Sequence, residues 1–242
     1  MLMSVAVDYV AYLRNLGQLK EPDPSHAAVL AELAGADGIT CHLREDRLHI
    51  RDRDIYILKE VVRSVFTLRI APREDLLERV LEVKPRMVTL VPFSSSADSA
   101  EDESDLTGNR ELYVSAAAAL NGAGIDVCFR ADPLDDAVKE AARARAKAVE
   151  FSVQDYARAF SGGNVESELI RLEQMSQLAV KLGMTASCGG GLNYRNIRPV
   201  INLGVFRGFT VGYAIASRAM LVGFERATRE MADIIRESQD RY

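Results

Sequence analysis

The stretch Gly35-Ala-Asp-Gly-Ile-Thr-Cys-His-Leu-Arg-Glu-Asp-Arg-Leu-His49 decides how the rest of the chain is read. Its first half is a short apolar, β-prone run from Gly38 to Cys41. Its second half is a burst of charge. Two of the three histidines of the protein, His42 and His49, lie in it with Arg44 and Arg47 between them. A buried strand that opens into such a cluster is what a catalytic or phosphate-binding rim requires. The strand fixes the backbone, and the segment beyond it presents polar groups to a ligand.

Working outward, the same alternation recurs from end to end. Short β-branched or aromatic runs stand at 4–8, 37–42, 65–70, 86–91, 124–130, 147–152, 183–187 and 207–212. Helical patterns fill the intervals: one from Pro24, closed by Gly35, then 54–63, 74–83, 109–122, 133–144, 165–182, 195–203 and 214–238. Eight strands alternating with helices in this length predict a (β/α)8 barrel occupying 1–242 as one domain. A doubly wound open sheet is the alternative. The Gly-Ala-Gly-Ile-Asp run near 122 supports it weakly, because it precedes a strand where a dinucleotide turn follows one.

Composition narrows the function classes. The 242 residues are 48% hydrophobic and 27% charged, with a net charge of −5. That balance suits one large core and gives no basis for nucleic acid or an anionic membrane as main partner. Cys41, Cys128 and Cys188 fall in or beside strands and read as small apolar residues, with no disulfide framework. The N-terminal run is interrupted by Asp8 and lacks a basic region, so it reads as a strand and not as a signal peptide. No window approaches the roughly 20 apolar residues of a membrane span. A cytoplasmic protein is expected. No His, Cys or carboxylate group has metal spacing, and no cofactor is implied.

In a barrel, ligand groups come from the C-terminal ends of the strands. That rule selects Asp8 and Tyr9, His42 and Arg44, Arg69, Glu150, Gly190 with Gly191, and Gly212 with Tyr213. The glycine run 189–191 exposes backbone N–H groups. Gly212 leads almost at once into a helix N-terminus, with its unpaired donors and positive dipole end. Together they predict a phosphate cup after the seventh and eighth strands. His42 is the candidate acid or base, its intrinsic pKa being suited to proton transfer. His49 and Arg44 would hold a second phosphate. His26 reads as structural. The polar segment 94–108 reads as a lid.

At this point the chain resembles the pyridoxine 5′-phosphate synthase family, the ring-closing enzymes of the deoxyxylulose-dependent vitamin B6 pathway. The likeness is carried by GADGITCHLREDRLHIRDRDIYIL, VAVDYVAYLRN, EPDPSHAA, KPRMVTLVP, AGIDV, GGGLNYRN and VGYAIASRAM, in order along nearly the whole sequence. It implies a (β/α)8 barrel with extra helices, assembled as a homo-octamer. It also implies condensation of 1-deoxy-D-xylulose 5-phosphate with 3-amino-2-oxopropyl phosphate, releasing water and inorganic phosphate.

Matched to the family's motifs, Asp8, Arg14, His42, Arg44, His49 and Glu150 are kept, and Ser99 stands for a threonine of the loop after the fourth strand. His42 and Glu150 take catalytic roles. Three positions depart: Arg69 falls where the family has its general-base glutamate, Gly190 where it has a general-acid histidine, and Tyr213 where it has histidine. The first strand departs as well, with Tyr9 in place of a histidine. Phosphate-holding groups, Arg14, Arg44, His49, Gly191 and Gly212, are thus retained more fully than proton-moving ones. Two alternatives therefore stay open. One is a divergent barrel enzyme that acts on a related phosphorylated ketone or amino-ketone through His42. The other is a non-catalytic homologue that binds a phosphorylated metabolite.

Overall fold

A computed structural model describes residues 1–92 and 109–238. Eight parallel strands close into a barrel in sequence order. They are β1 (Leu2–Ala6), β2 (Gly38–His42), β3 (Val65–Ile70), β4 (Met87–Leu90), β5 (Asp126–Ala131), β6 (Ala148–Ser152), β7 (Thr185–Gly189) and β8 (Gly208–Val211). β1 pairs with β8 through Leu2 and Gly208, which closes the cylinder. The expected barrel is therefore the fold, and the open-sheet alternative is not.

Period-two alternation sorts each strand. Met3, Val5, Ile39, Cys41, Phe66, Leu68, Val127, Phe129, Val149, Phe151, Ala186, Cys188, Phe209 and Val211 are buried and belong to the apolar core. The intervening positions are small or polar: Ser4, Thr40, Thr67, Thr89, Cys128 and Thr210. These face the barrel axis, as the Ser4–Thr40 hydroxyl contact of 2.6 Å shows. One step nearer the C-terminal rim, the inward positions become His42, Arg69, Arg130 and Glu150. The sheet thus buries apolar side chains outward under the helices and gathers charge inside. Burial holds the thiols of Cys41, Cys128 and Cys188 above their usual range, so they stay protonated.

The helices are α1 (Asp8–Leu16), α2 (Pro24–Leu33), α3 (Asp52–Val61), α4 (Glu74–Val83), α5 (Arg110–Gly122), α6 (Asp135–Arg143), α7 (Gln154–Gly162), α8 (Glu166–Lys181), α9 (Ile197–Asn202), α10 (Tyr213–Val222) and α11 (Phe224–Glu237). Three differ from expectation. α1 begins where the first strand was expected to continue, because Asp8 sits in a first helical turn, where a carboxylate opposes the dipole favourably. α7 is a nine-residue helix with one buried side chain, Tyr156, and so leaves little apolar periodicity. The expected helix 214–238 is two helices, parted at Gly223, whose φ of +88° no helix accommodates. Among the described residues, no helix is long and apolar enough to cross a membrane.

Candidate active site

The C-terminal ends of the strands open into a cavity of about 490 Å3. Asp8, Tyr9, His42, His49, Arg69, Gly190, Gly191, Gly212 and Tyr213 all line it. Sequence reasoning therefore brings nine of its candidates to one place. Glu150 stands in the floor and touches two lining residues, Arg69 and Thr210. Arg14 and Arg44 do not line the cavity. Arg14 forks onto Asp54 at 2.8 and 2.7 Å, both side chains being buried, and anchors α1 to the start of α3. Arg44 forks onto Asp46 at 3.0 and 2.9 Å. Ser99 and the segment 94–108 lie outside the described residues.

The floor is a buried ion cluster. Oε1 of Glu150 accepts from Arg69 and from Arg130, each at 2.5 Å, and Oε2 accepts from Thr210 at 2.8 Å. β3 and β6 are not neighbours, so the Arg69–Glu150 contact spans the barrel interior. Burial alone would raise the Glu150 carboxyl, but Arg69 and Arg130 outweigh it and bring its pKa down to about 2. Arg69 cannot accept a proton at neutral pH. The end of β3 therefore holds positive charge where the resembling family places a base.

One wall carries imidazole and phenol rings. The backbone N–H of His42 donates to Asp8 Oδ1 at 2.6 Å, tying β2 to the start of α1. Desolvation, then Arg69 and Arg44, depress the His42 imidazole to about 3. Desolvation and Arg44 depress His49 to about 4. Both rings are neutral at pH 7. Tyr9 meets Tyr213 edge to face at 5.3 Å, and Tyr12 meets His49 at 5.1 Å.

These depressed histidines set the acid limb of stability. Their folded pKa values lie below the ordinary 6.5, so the unfolded chain takes up protons first. The histidine contribution to stability is level above pH 6.5. It falls as pH drops toward 4, with a slope approaching about 1.4 kcal/mol per pH unit for each histidine. Glu150 and Asp46, whose folded values are about 2, lose their contribution only below about pH 4. Urea unfolding at pH 7, 6 and 5 should show a shallower loss in His42→Gln than in the wild type. Parallel losses would contradict the assignment.

The adjoining wall is a cup of backbone donors, in contact with the rings through Tyr9 and Tyr213. Gly190 and Gly191 adopt φ of +86° and +85°. A Cβ on Gly191 would stand 2.7 Å from Ala157 Cβ, so only glycine fits there. Asn196, 1% exposed, pins the turn: its Nδ2 donates to Gly191 O at 2.9 Å and its Oδ1 accepts from Asn193 N at 2.7 Å. Gly212 caps α10, whose first residues Tyr213 and Ala214 also line the cavity. Arg195 and Arg218 add positive charge to this side, Arg218 being paired with Glu230 at 2.9 Å. Helix dipole, N–H groups and cations together are chemically suited to an anion.

Sequence reasoning missed Arg130, Arg195, Ser217, Arg218 and Leu221. Arg130 ends the run 124–130, and the strand-end rule applied there would have found it. Tyr213, Ser217 and Leu221 are spaced i, i+4, i+8 along one face of α10, a pattern indistinguishable in sequence from core packing.

The fold and site define a class: a (β/α)8 barrel with a glycine turn after β7, a helix N-terminus after β8 and charged side chains at the strand ends. Of solved structures, 3-keto-L-gulonate-6-phosphate decarboxylase from Vibrio cholerae O1 biovar El Tor str. N16961 superposes with a TM-score of 0.66 at 12% identity, covering 100% of this chain and 98% of that one. At that identity the likeness shows the fold alone. Sequence is more specific. Residues 3–237 match the family described as pyridoxal phosphate biosynthesis protein PdxJ, and the chain belongs to that family. A protein named pyridoxine 5′-phosphate synthase from Synechococcus sp. (strain JA-2-3B'a(2-13)) is 42% identical over 229 residues, 95% of this chain and 96% of that protein. One of the same name from Geotalea uraniireducens (strain Rf4) is 40% identical over 234 residues, 97% and 98% of the two.

Proposed function

We propose that this chain is a pyridoxine 5′-phosphate synthase-type enzyme, joining 1-deoxy-D-xylulose 5-phosphate to 3-amino-2-oxopropyl phosphate. The observation that carries the reading is that His42 and the glycines Gly190, Gly191 and Gly212 line one cavity. In this reading a substrate phosphate sits on the N–H groups of Gly190, Gly191 and Gly212. The amine of one substrate attacks the ketone carbon of the other, and the two amine protons leave with the carbonyl oxygen as water, forming a C=N bond. Neutral His42 accepts a proton at that step and returns it to the departing oxygen. Glu150 holds the floor. Assembly as a homo-octamer in the cytoplasm follows from the same resemblance. Exposed Leu16 and Leu19 at the end of α1 supply apolar surface for such contacts.

Titration calorimetry tests the cup. Two or more charge-assisted bonds from the cup, each about 1.5–3 kcal/mol, predict that 1-deoxy-D-xylulose 5-phosphate binds at least about 100-fold more tightly than 1-deoxy-D-xylulose. Equal affinities would remove the phosphate from the cup.

A second reading is favoured by one specific observation, Arg69 clamped on Glu150 at the end of β3. With no carboxylate base at that position, the site suits a related phosphorylated ketone whose reaction needs fewer proton transfers, with His42 as the acid and base.

A further inference from the structure

Histidines aside, the charged side chains among the described residues that line the cavity are Asp8, Arg69, Arg195 and Arg218. Asp8 accepts the backbone N–H of His42. Arg69 is held by Glu150, and Arg218 donates to Glu230 at 2.9 and 3.3 Å. Arg195 differs. Among the described residues its guanidinium has no carboxylate partner, and the residue is exposed. What it offers the cavity is that side chain, because its backbone N–H is spent on Asn193 Oδ1 at 2.9 Å. The turn that carries it is fixed on both sides of it: Asn196 Nδ2 donates to Gly191 O at 2.9 Å, and Tyr194 OH donates to Ala227 O of α11 at 2.7 Å. The backbone of Arg195 is therefore set four residues beyond Gly191, and a ligand has only its side chain left to order.

A phosphate monoester carries a charge of about −1.5 to −2 at pH 7, whereas a helix N-terminus supplies about +0.5. Backbone donors alone leave most of that charge unmet. We infer that Arg195 swings onto a bound phosphate and supplies the missing counter-charge, which makes it the residue that separates a phosphorylated ligand from its dephosphorylated form. The inference deepens the proposed function and rests on its reading that a substrate phosphate lies on the glycine turn. A guanidinium forks onto phosphate oxygens through charge-assisted bonds, a geometry that an ammonium reproduces only in part. Arg218 spends its own fork on Glu230 and remains part of the wall.

Calorimetry with the full chain compares 1-deoxy-D-xylulose 5-phosphate with 1-deoxy-D-xylulose. Arg195→Gln should cut the wild-type preference for the phosphorylated compound by at least about fivefold, with the affinity for 1-deoxy-D-xylulose unchanged, and Arg195→Lys should keep part of that preference. Arg198→Gln is the control. It removes the same charge three residues further on, from a side chain that pairs with Glu237 and does not line the cavity, and it should keep the full preference. An undiminished preference in Arg195→Gln, or an equal fall in Arg198→Gln, would overturn the role of Arg195 while leaving the phosphate on the glycine turn. Loss of both compounds in Arg195→Gln would make Arg195 a structural residue of the turn and overturn that role as well. A wild type that binds the two compounds equally, or neither of them, would overturn the phosphate reading and this inference together.

Discussion

Glu150→Ala is expected to cost the fold about 3–5 kcal/mol, read as a lowered midpoint in urea unfolding at constant m-value. Glu150, Arg69 and Arg130 are all at most 9% exposed. Removing the carboxylate takes a shared counter-charge from two buried guanidinium groups, and breaking a buried pair is far costlier than losing a surface one. Glu150→Gln, which keeps an acceptor oxygen, should lose less than Glu150→Ala. Replacing all three charged groups together, Arg69→Met, Arg130→Phe and Glu150→Leu, should recover much of the loss, since an apolar core of similar volume needs no charge compensation. An unchanged midpoint in Glu150→Ala would mean that the cluster is not desolvated as its geometry indicates.

The second large effect is on turnover. His42→Ala should lower kcat by about 10²–10⁴, the range a positioned acid or base supplies, with KM changed little because the proposed phosphate contacts come from the glycine turn and not from His42. The imidazole is pushed down to about 3 by burial and by Arg69 and Arg44, so it is already a neutral acceptor throughout the physiological range. The kcat profile should therefore show no inflection from His42 near pH 6.5. A wild-type limb at that pH that disappears in His42→Ala would place its pKa much higher and contradict the electrostatics of this wall.

How much of this was legible before the structure depends on which forces act locally. The strand 65–70 is read to the residue, because Ser64 precedes it, Pro72 closes it, and Phe66, Leu68 and Ile70 alternate with Thr67 and Arg69. The glycine turn that lines the cavity was legible for a similar reason. Glycines after one strand and a glycine at the start of a helix declare backbone donors without reference to anything distant. The first strand was read two residues late because Val5, Val7 and Val10 continue an apolar run across Asp8, and only packing decides where strand gives way to α1. The ion cluster was least legible. Arg69, Arg130 and Glu150 are 20 to 81 residues apart, and nothing in their neighbours states that β3 reaches β6 across the axis while β5 reaches it from the adjacent strand. Arg14 shows the same limit from the other side. As a residue type it suits a phosphate, and its commitment to Asp54 appears only when α1 and α3 are brought together.

The central claim is that the cavity carries out the reaction for which its relatives are named. The most direct test is an end-point assay by mass spectrometry, with purified wild-type protein, 1-deoxy-D-xylulose 5-phosphate and freshly generated 3-amino-2-oxopropyl phosphate. Pyridoxine 5′-phosphate formed over many turnovers by the wild type, and absent with His42→Ala, is the predicted result. Binding of both phosphates with no product would contradict it, and would show that Arg69 has moved this barrel to other chemistry.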